Sequence, residues 1–150
     1  MNDLFDTSTM EHYIARVNSI NKTPQRQWGK MEVAQMLNHC QKPFEMVDGR
    51  MKPRTNPIFK FLFGRSAKKE MLNKDGFRRE LPTFKELRVT ERLDVDTEKR
   101  KLVEAIQQFH KKGQSGITAK QHGLFGEMST EEWNLLITKH LDHHLKQFSA

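Results

Sequence analysis

Three of the chain's seven histidines, His140, His143 and His144, stand within five positions of one another close to residue 150. Around them Trp133, Ile137, His140, His144 and Phe148 advance by four, three, four and four residues, which places all five on one face of a helix. His140 and His144 are thus one turn apart and about 40° apart around the axis, a spacing from which two imidazole nitrogens reach one ion. His143 lies about 60° from His140 and about 100° from His144, as a spare ligand or a rim residue. The third ligand a catalytic ion needs is best supplied by His39, within WGKMEVAQMLNHC, on a strip shared with Met36, Pro43 and Met46. His39, His140 and His144 are the candidate metal ligands. A plainer reading fits the same spacing: inward histidines that are hydrogen-bonded core residues. Spacing alone leaves both open. His12, His110 and His122 are expected at the surface, and Cys40, the only cysteine, is expected as buried filler beside His39. With one thiol, an internal disulfide or a thiolate cluster is excluded, so a metal here takes histidine or carboxylate ligands.

The elements that must position these residues are helical. Asp6 or Thr7 caps a first helix to Ile20, with Met10, Tyr13, Ile14, Val17 and Ile20 inward. A second runs from Trp28 to about Asp48, kinked or ended by Pro43 and stopped by Gly49. Asn56-Pro57 opens a shorter segment weakened by Gly64. Between Gly76 and Val95, Leu87, Val89, Leu93 and Val95 hint at a strand that has no partner, so the stretch is read as a long crossing connection. Asp96 caps a helix ending at Gly113, GQSGITAKQHG is a loop, and Ser129-Thr130-Glu131-Glu132 is a capping box for the last helix. Gln35 and Glu32, one and two turns before His39, are candidates to orient it, whereas Asp142 points away from His144. The expected fold is all-α: an antiparallel four-helix bundle with a long crossover and one short extra helix, in a single domain over residues 1–150.

The net charge of +7 resides in one stretch: Lys52 to Arg79 holds nine basic and two acidic residues. Such a segment draws anions or nucleic acid to itself, or is simply a solvated face. Its Phe59, Phe61 and Phe63 are expected to pack in the core rather than stack on bases, which makes nucleic acid a poor partner. No run approaches the roughly 18 apolar residues of a membrane span, and MNDLFDTST has no basic stretch leading into an apolar run, so no export signal is expected. A cytoplasmic protein with no membrane partner is expected.

The Trp-Gly entry to a helix carrying Met36-Leu37-x-His39, together with a final FG-x-x-Ser-x-x-Glu-Trp segment leading to His140-Leu-Asp-His-His144-Leu-x-Gln-Phe148, resembles the DinB superfamily. More narrowly it is similar to a DinB-like branch catalogued only as a domain of unknown function. Helix order corresponds over nearly the whole chain, the motifs only near His39 and from Leu124 to Gln147. The resemblance implies a bundle in which His39, His140 and His144 bind zinc or nickel, and subunits that are often paired as homodimers. Characterised relatives use the ion to turn a small thiol into a thiolate for transfer or isomerisation. The expectation is a metal-dependent transferase or hydrolase acting on a small thiol or anionic substrate. The alternative is a non-catalytic bundle that binds a small anion, protein or nucleic acid through residues 52–79.

Overall fold

The computed structural model describes residues 3–21, 26–73, 77 and 84–150. Among these, the chain forms helices α1 (Thr7–Ser19), α2 (Val33–His39), α3 (Lys42–Val47), α4 (Pro57–Leu72), α5 (Val95–Lys112) and α6 (Thr130–Gln147). A two-residue hairpin, β1 (Gln121–His122) with β2 (Gly126–Glu127), and short 3-10 turns at Lys85–Leu87 and Gly113–Gly116 complete it. The architecture is a helical bundle. No helix among the described residues is long and apolar enough to cross a membrane.

Local chemistry explains most boundaries. The Asp6 carboxylate accepts the Thr9 amide and Asn56 accepts that of Ile58, so α1 and α4 begin on side-chain caps. Ser129 and Glu132 satisfy each other's backbone amides at the start of α6, the reciprocal box expected there. The cap of α5 is Asp94 rather than Asp96: the Asp94 carboxylate accepts the Thr97 amide, and Asp96 falls in the first turn. The expected second helix starts later, at Val33, because Glu32 and Gln35 form its capping box, and it breaks at Cys40–Gln41. Proline has no amide to donate, so Pro43 sits where none is needed, in the first turn of the new helix α3. The strand hinted at near Leu87 does not form among the described residues: Leu87 closes a 3-10 turn and Val95 opens α5. Residues 76 and 78–83 of that connection lie outside the described residues. The segment read as loop after Gly113 contains β1.

Tyr13 and Val17 of α1, Met36 and Leu37 of α2, Leu102 and Ile106 of α5, and Trp133, Ile137, Leu141 and Leu145 of α6 form one buried core. Two polar devices cross it. Glu98 of α5 is buried and accepts hydrogen bonds from Asn38 (2.9 Å) and Gln41 (2.8 Å) beside the break between α2 and α3, and from Lys101 (2.8 Å). Arg16 of α1 pairs with Asp142 (2.9 Å) and donates to the Ala150 carbonyl (2.7 Å), tying α1 to the end of α6. The core therefore ties α2 to α5 and α1 to α6.

The apolar residues at the start of α4 depart from expectation. Phe59, Phe61 and Phe63 are 47%, 87% and 49% exposed, so they are not core. The helix buries its opposite side, through Gly64 and Met71.

Candidate metal centre

The second and last helices bring His39, His140 and His144 together. Their ring centroids stand 4.7, 4.7 and 4.6 Å apart, and one nitrogen from each lies within 4.8 Å of the others. Atoms each about 2.0–2.1 Å from a shared ion stand at most about 4.2 Å apart, so a small inward shift of the side chains would bring the three nitrogens to ligand spacing. His39 and His144 are buried and His140 is half-buried.

Hydrogen bonds determine which nitrogen of each ring is free. His39 Nδ1 lies 2.8 Å from the Leu87 carbonyl, an oxygen that only accepts, so Nδ1 carries the proton and Nε2 keeps its lone pair. His144 Nδ1 lies 2.9 Å from Gln147 Oε1. The other end of that amide donates to the Trp28 carbonyl at 2.7 Å, which fixes its orientation, so His144 also donates from Nδ1 and bares Nε2. His140 Nε2 is 2.9 Å from His39 Nε2 and, without an ion, donates to it. His140 Nδ1 is buried with no hydrogen-bond partner among the described residues. A divalent ion held by these rings through Nε2 would take the place of the proton between His39 and His140, and that proton would move to His140 Nδ1.

The electrostatics favour lone pairs over protons. Burial lowers the His39 and His140 pKa values, and each is lowered further by neighbouring charge: His143 and Lys42 for His39, His144 and His39 for His140. Burial, together with His39, pushes His144 down to about 3 even though Gln147 opposes the shift. All three rings are therefore neutral near pH 7, the form that ligates a metal.

The outer partners differ from those expected. Glu32 and Gln35 cap α2, and Gln35 reaches the Glu91 carbonyl (3.4 Å) rather than His39. The Leu87 carbonyl takes that place, brought in by the crossing connection. Gln147 had a local signal: it stands three residues after His144, on the same face. Asp142 points away from His144, as expected, toward Arg16 and Lys146. His143 is not one of the three; its ring lies 5.5 Å from Trp28 and 6.2 Å from Phe77, at an aromatic rim. His12 is exposed and His110 is half-buried, its Nδ1 2.9 Å from the Leu4 carbonyl. His122, expected at the surface, is buried: its ring stacks on Phe125 and its Nδ1 accepts the Leu124 and Phe125 amides, both at 3.2 Å. Burial pushes the Cys40 thiol pKa up, which leaves the sulfur as core packing and not a nucleophile.

The Trp-Gly entry also has a structural role. Gly29 has φ +78°, and a Cβ there would stand 2.5 Å from Gln147 Nε2. Only glycine both adopts this backbone without strain and leaves room for the amide that orients His144.

With this geometry established, comparison with known families is informative. A family model described as "Protein of unknown function (DUF1569)" matches residues 3–150. The chain belongs to that family. No curated protein and no solved structure matches it.

Two outcomes are expected of this DUF1569 protein at the site. Replacing Gln147 by leucine, which keeps similar bulk but removes the acceptor, should weaken metal binding about 10–100-fold while the helical signal persists; competition with a chromogenic chelator measures it. The apo protein should also lose stability in acid. The His144 pKa is depressed on folding, so its contribution is complete above the unfolded value of about 6.5 and is lost as pH falls toward about 3. Urea midpoints from pH 7.5 to 4.5 should therefore fall with pH, and less steeply in His144→Gln.

Proposed function

We propose that this chain is a DinB-like metalloprotein in which His39, His140 and His144 hold one divalent ion, zinc or nickel. One observation carries the reading: His39 and His144 have their Nδ1 protons committed to Leu87 and Gln147, leaving neutral Nε2 lone pairs beside His140. The motif resemblance to the DinB superfamily selects the same three residues.

A bound divalent ion would supply the Lewis acidity that lowers the pKa of a thiol or water. Three imidazoles without thiolate or carboxylate suit zinc and nickel and add no negative charge, so the ion's full charge remains for that purpose. The protein's own contribution is positional. Leu87 and Gln147 hold two rings in one tautomer, and the core around Leu141 and Leu145 fixes the face of α6 that presents them. The reaction class that fits is a metal-dependent transferase or hydrolase acting on a small thiol or an anionic substrate, in a protein that pairs as a homodimer.

Untagged protein, analysed by inductively coupled plasma mass spectrometry, should hold about one zinc or nickel ion per chain. The metal-loaded protein should conjugate a small thiol to an electrophile faster than the chelated protein does. Absence of metal after reconstitution overturns the proposal; metal without any rate difference leaves the ion structural and overturns the catalytic part.

A further inference from the structure

The first two turns of α4 turn their bulk outward. Ile58 is 69%, Phe61 87% and Leu62 61% exposed, with Phe59 and Phe63 about half exposed. Soluble proteins rarely leave so many large apolar side chains contiguous unless the surface has a partner. The helix cannot roll to hide them, because its other side is fixed. A Cβ at Gly64 would stand 2.7 Å from the Leu124 carbonyl, Lys68 pairs with Glu132 at 2.8 Å, Lys139 donates to the Met71 carbonyl at 2.7 Å, and Met71 is 1% exposed. Exposure of the apolar side is thus built into the packing.

Charge identifies the partner. Lys52, Arg54, Arg65, Lys69 and Lys85 are exposed around this helix, whereas Glu70 and Glu86 are the acids on the same described stretches, 52–72 and 84–87. At about 100° per residue, Arg65 and Lys69 fall on the same outward side as Ile58 and Leu62, one to two turns further along. The patch continues into a cleft of about 670 Å³ whose lining includes Phe84, Leu124, Arg54 and Lys85. Apposing α4 with α4 of a second copy would gather the exposed cations of both copies, Lys52, Arg54, Arg65 and Lys69, along one seam with few acids to offset them. Nucleic acid would satisfy the cations but gain nothing from Ile58 and Leu62.

We propose that α4 docks this protein on an anionic lipid surface, with Phe61, Leu62 and Ile58 at the headgroup–acyl boundary and Arg65 and Lys69 against lipid phosphates. A basic helix with an apolar face lies in the interface plane and binds through apolar burial plus attraction to anionic lipid. This contact needs no membrane-spanning run, so the lack of one in the sequence does not bear on it. It is also independent of the histidine site.

The test is cosedimentation of the full chain with vesicles of phosphatidylcholine alone, or mixed three to one with phosphatidylglycerol. Binding is expected only to the anionic vesicles and should weaken as salt rises. It should fall at least tenfold in Phe61→Ser/Leu62→Ser and in Arg65→Glu/Lys69→Glu. These side chains are exposed, and circular dichroism checks that each pair leaves the helical signal unchanged. No binding to anionic vesicles, or binding that both pairs leave intact, overturns the proposal. So does a wild-type dimer that Phe61→Ser/Leu62→Ser dissolves in analytical ultracentrifugation without vesicle binding, which would assign the face to a second copy. Binding of a duplex oligonucleotide in preference to the vesicles overturns it as well.

Discussion

Removing His140 should abolish metal retention and leave the bundle folded. His140→Ala takes away a half-buried ring that, among the described residues, has no partner for Nδ1 and only His39 for Nε2, so its structural cost is one stranded acceptor, His39 Nε2, at about 1–3 kcal/mol. The binding cost is large, because two imidazoles on separate helices lose the i, i+4 partner that completes the set. Affinity should fall by more than roughly 100-fold, the upper end of the loss when only an outer partner is removed. His39→Ala and His144→Ala should weaken binding as strongly and cost the apo protein a similar amount, since each also strands a buried acceptor, Leu87 O or Gln147 Oε1, at about 1–3 kcal/mol. Zinc titration monitored by calorimetry, with urea denaturation of the apo forms, separates the two effects. Equal affinities in wild type and His140→Ala would remove His140 from the ligand set.

The largest expected stability change lies elsewhere, at Glu98. Glu98 is 1% exposed and its carboxylate receives Asn38, Gln41 and Lys101, so alanine would take the acceptor from Asn38 and leave Gln41 only the Leu37 and Glu98 carbonyls in the seam between α2 and α5. A loss of about 3 kcal/mol is expected, or roughly 6–12 °C in Tm for a chain of this size. The position also bears on the site, because Asn38 and Gln41 flank His39 in sequence. Burial alone would raise the Glu98 pKa, but the bonds from Lys101, Asn38 and Gln41 outweigh it and the net shift is downward. A depressed carboxyl contributes stability that is present above its unfolded pKa of about 4.3 and is lost as pH falls through the folded value. Urea denaturation at pH 7 and pH 3 should therefore show a smaller gap between wild type and Glu98→Ala in acid. A gap that stays constant would mean that Glu98 acts by packing and not by charge.

Legibility from sequence followed the range of the interactions. The capping box Ser129–Glu132, the Asn56-Pro57 start and the inward stripe of α6 depend on residues within a turn or two of each other, and all three form as read. The i, i+4 pair of α6 and the single histidine of α2 were visible for the same reason. Errors arose where a local pattern had two structural outcomes. Ile58, Phe59, Leu62 and Phe63 have the spacing of a core face, but hydrophobicity drives burial only where a neighbour offers a surface, and α4 packs through Gly64 and Met71 instead. His122, flanked by polar and glycine residues, read as a loop surface, yet the hairpin folds it under Phe125 and against Trp133.

By itself the sequence determined most of the helices, the caps of α1, α4 and α6, the uneven distribution of charge and the three residues able to form a site, because capping and helical periodicity are properties of neighbours along the chain. Tertiary structure decided the rest. Only folding brings the Leu87 carbonyl, 48 residues from His39, within 2.8 Å of its ring, and the Trp28 carbonyl, 119 residues from Gln147, onto the amide that holds His144. Those two contacts select the tautomers and so aim the lone pairs. Which nitrogen is bare depends on an acceptor that the chain delivers from far away, and neither the spacing of the histidines nor their helical face carries that information.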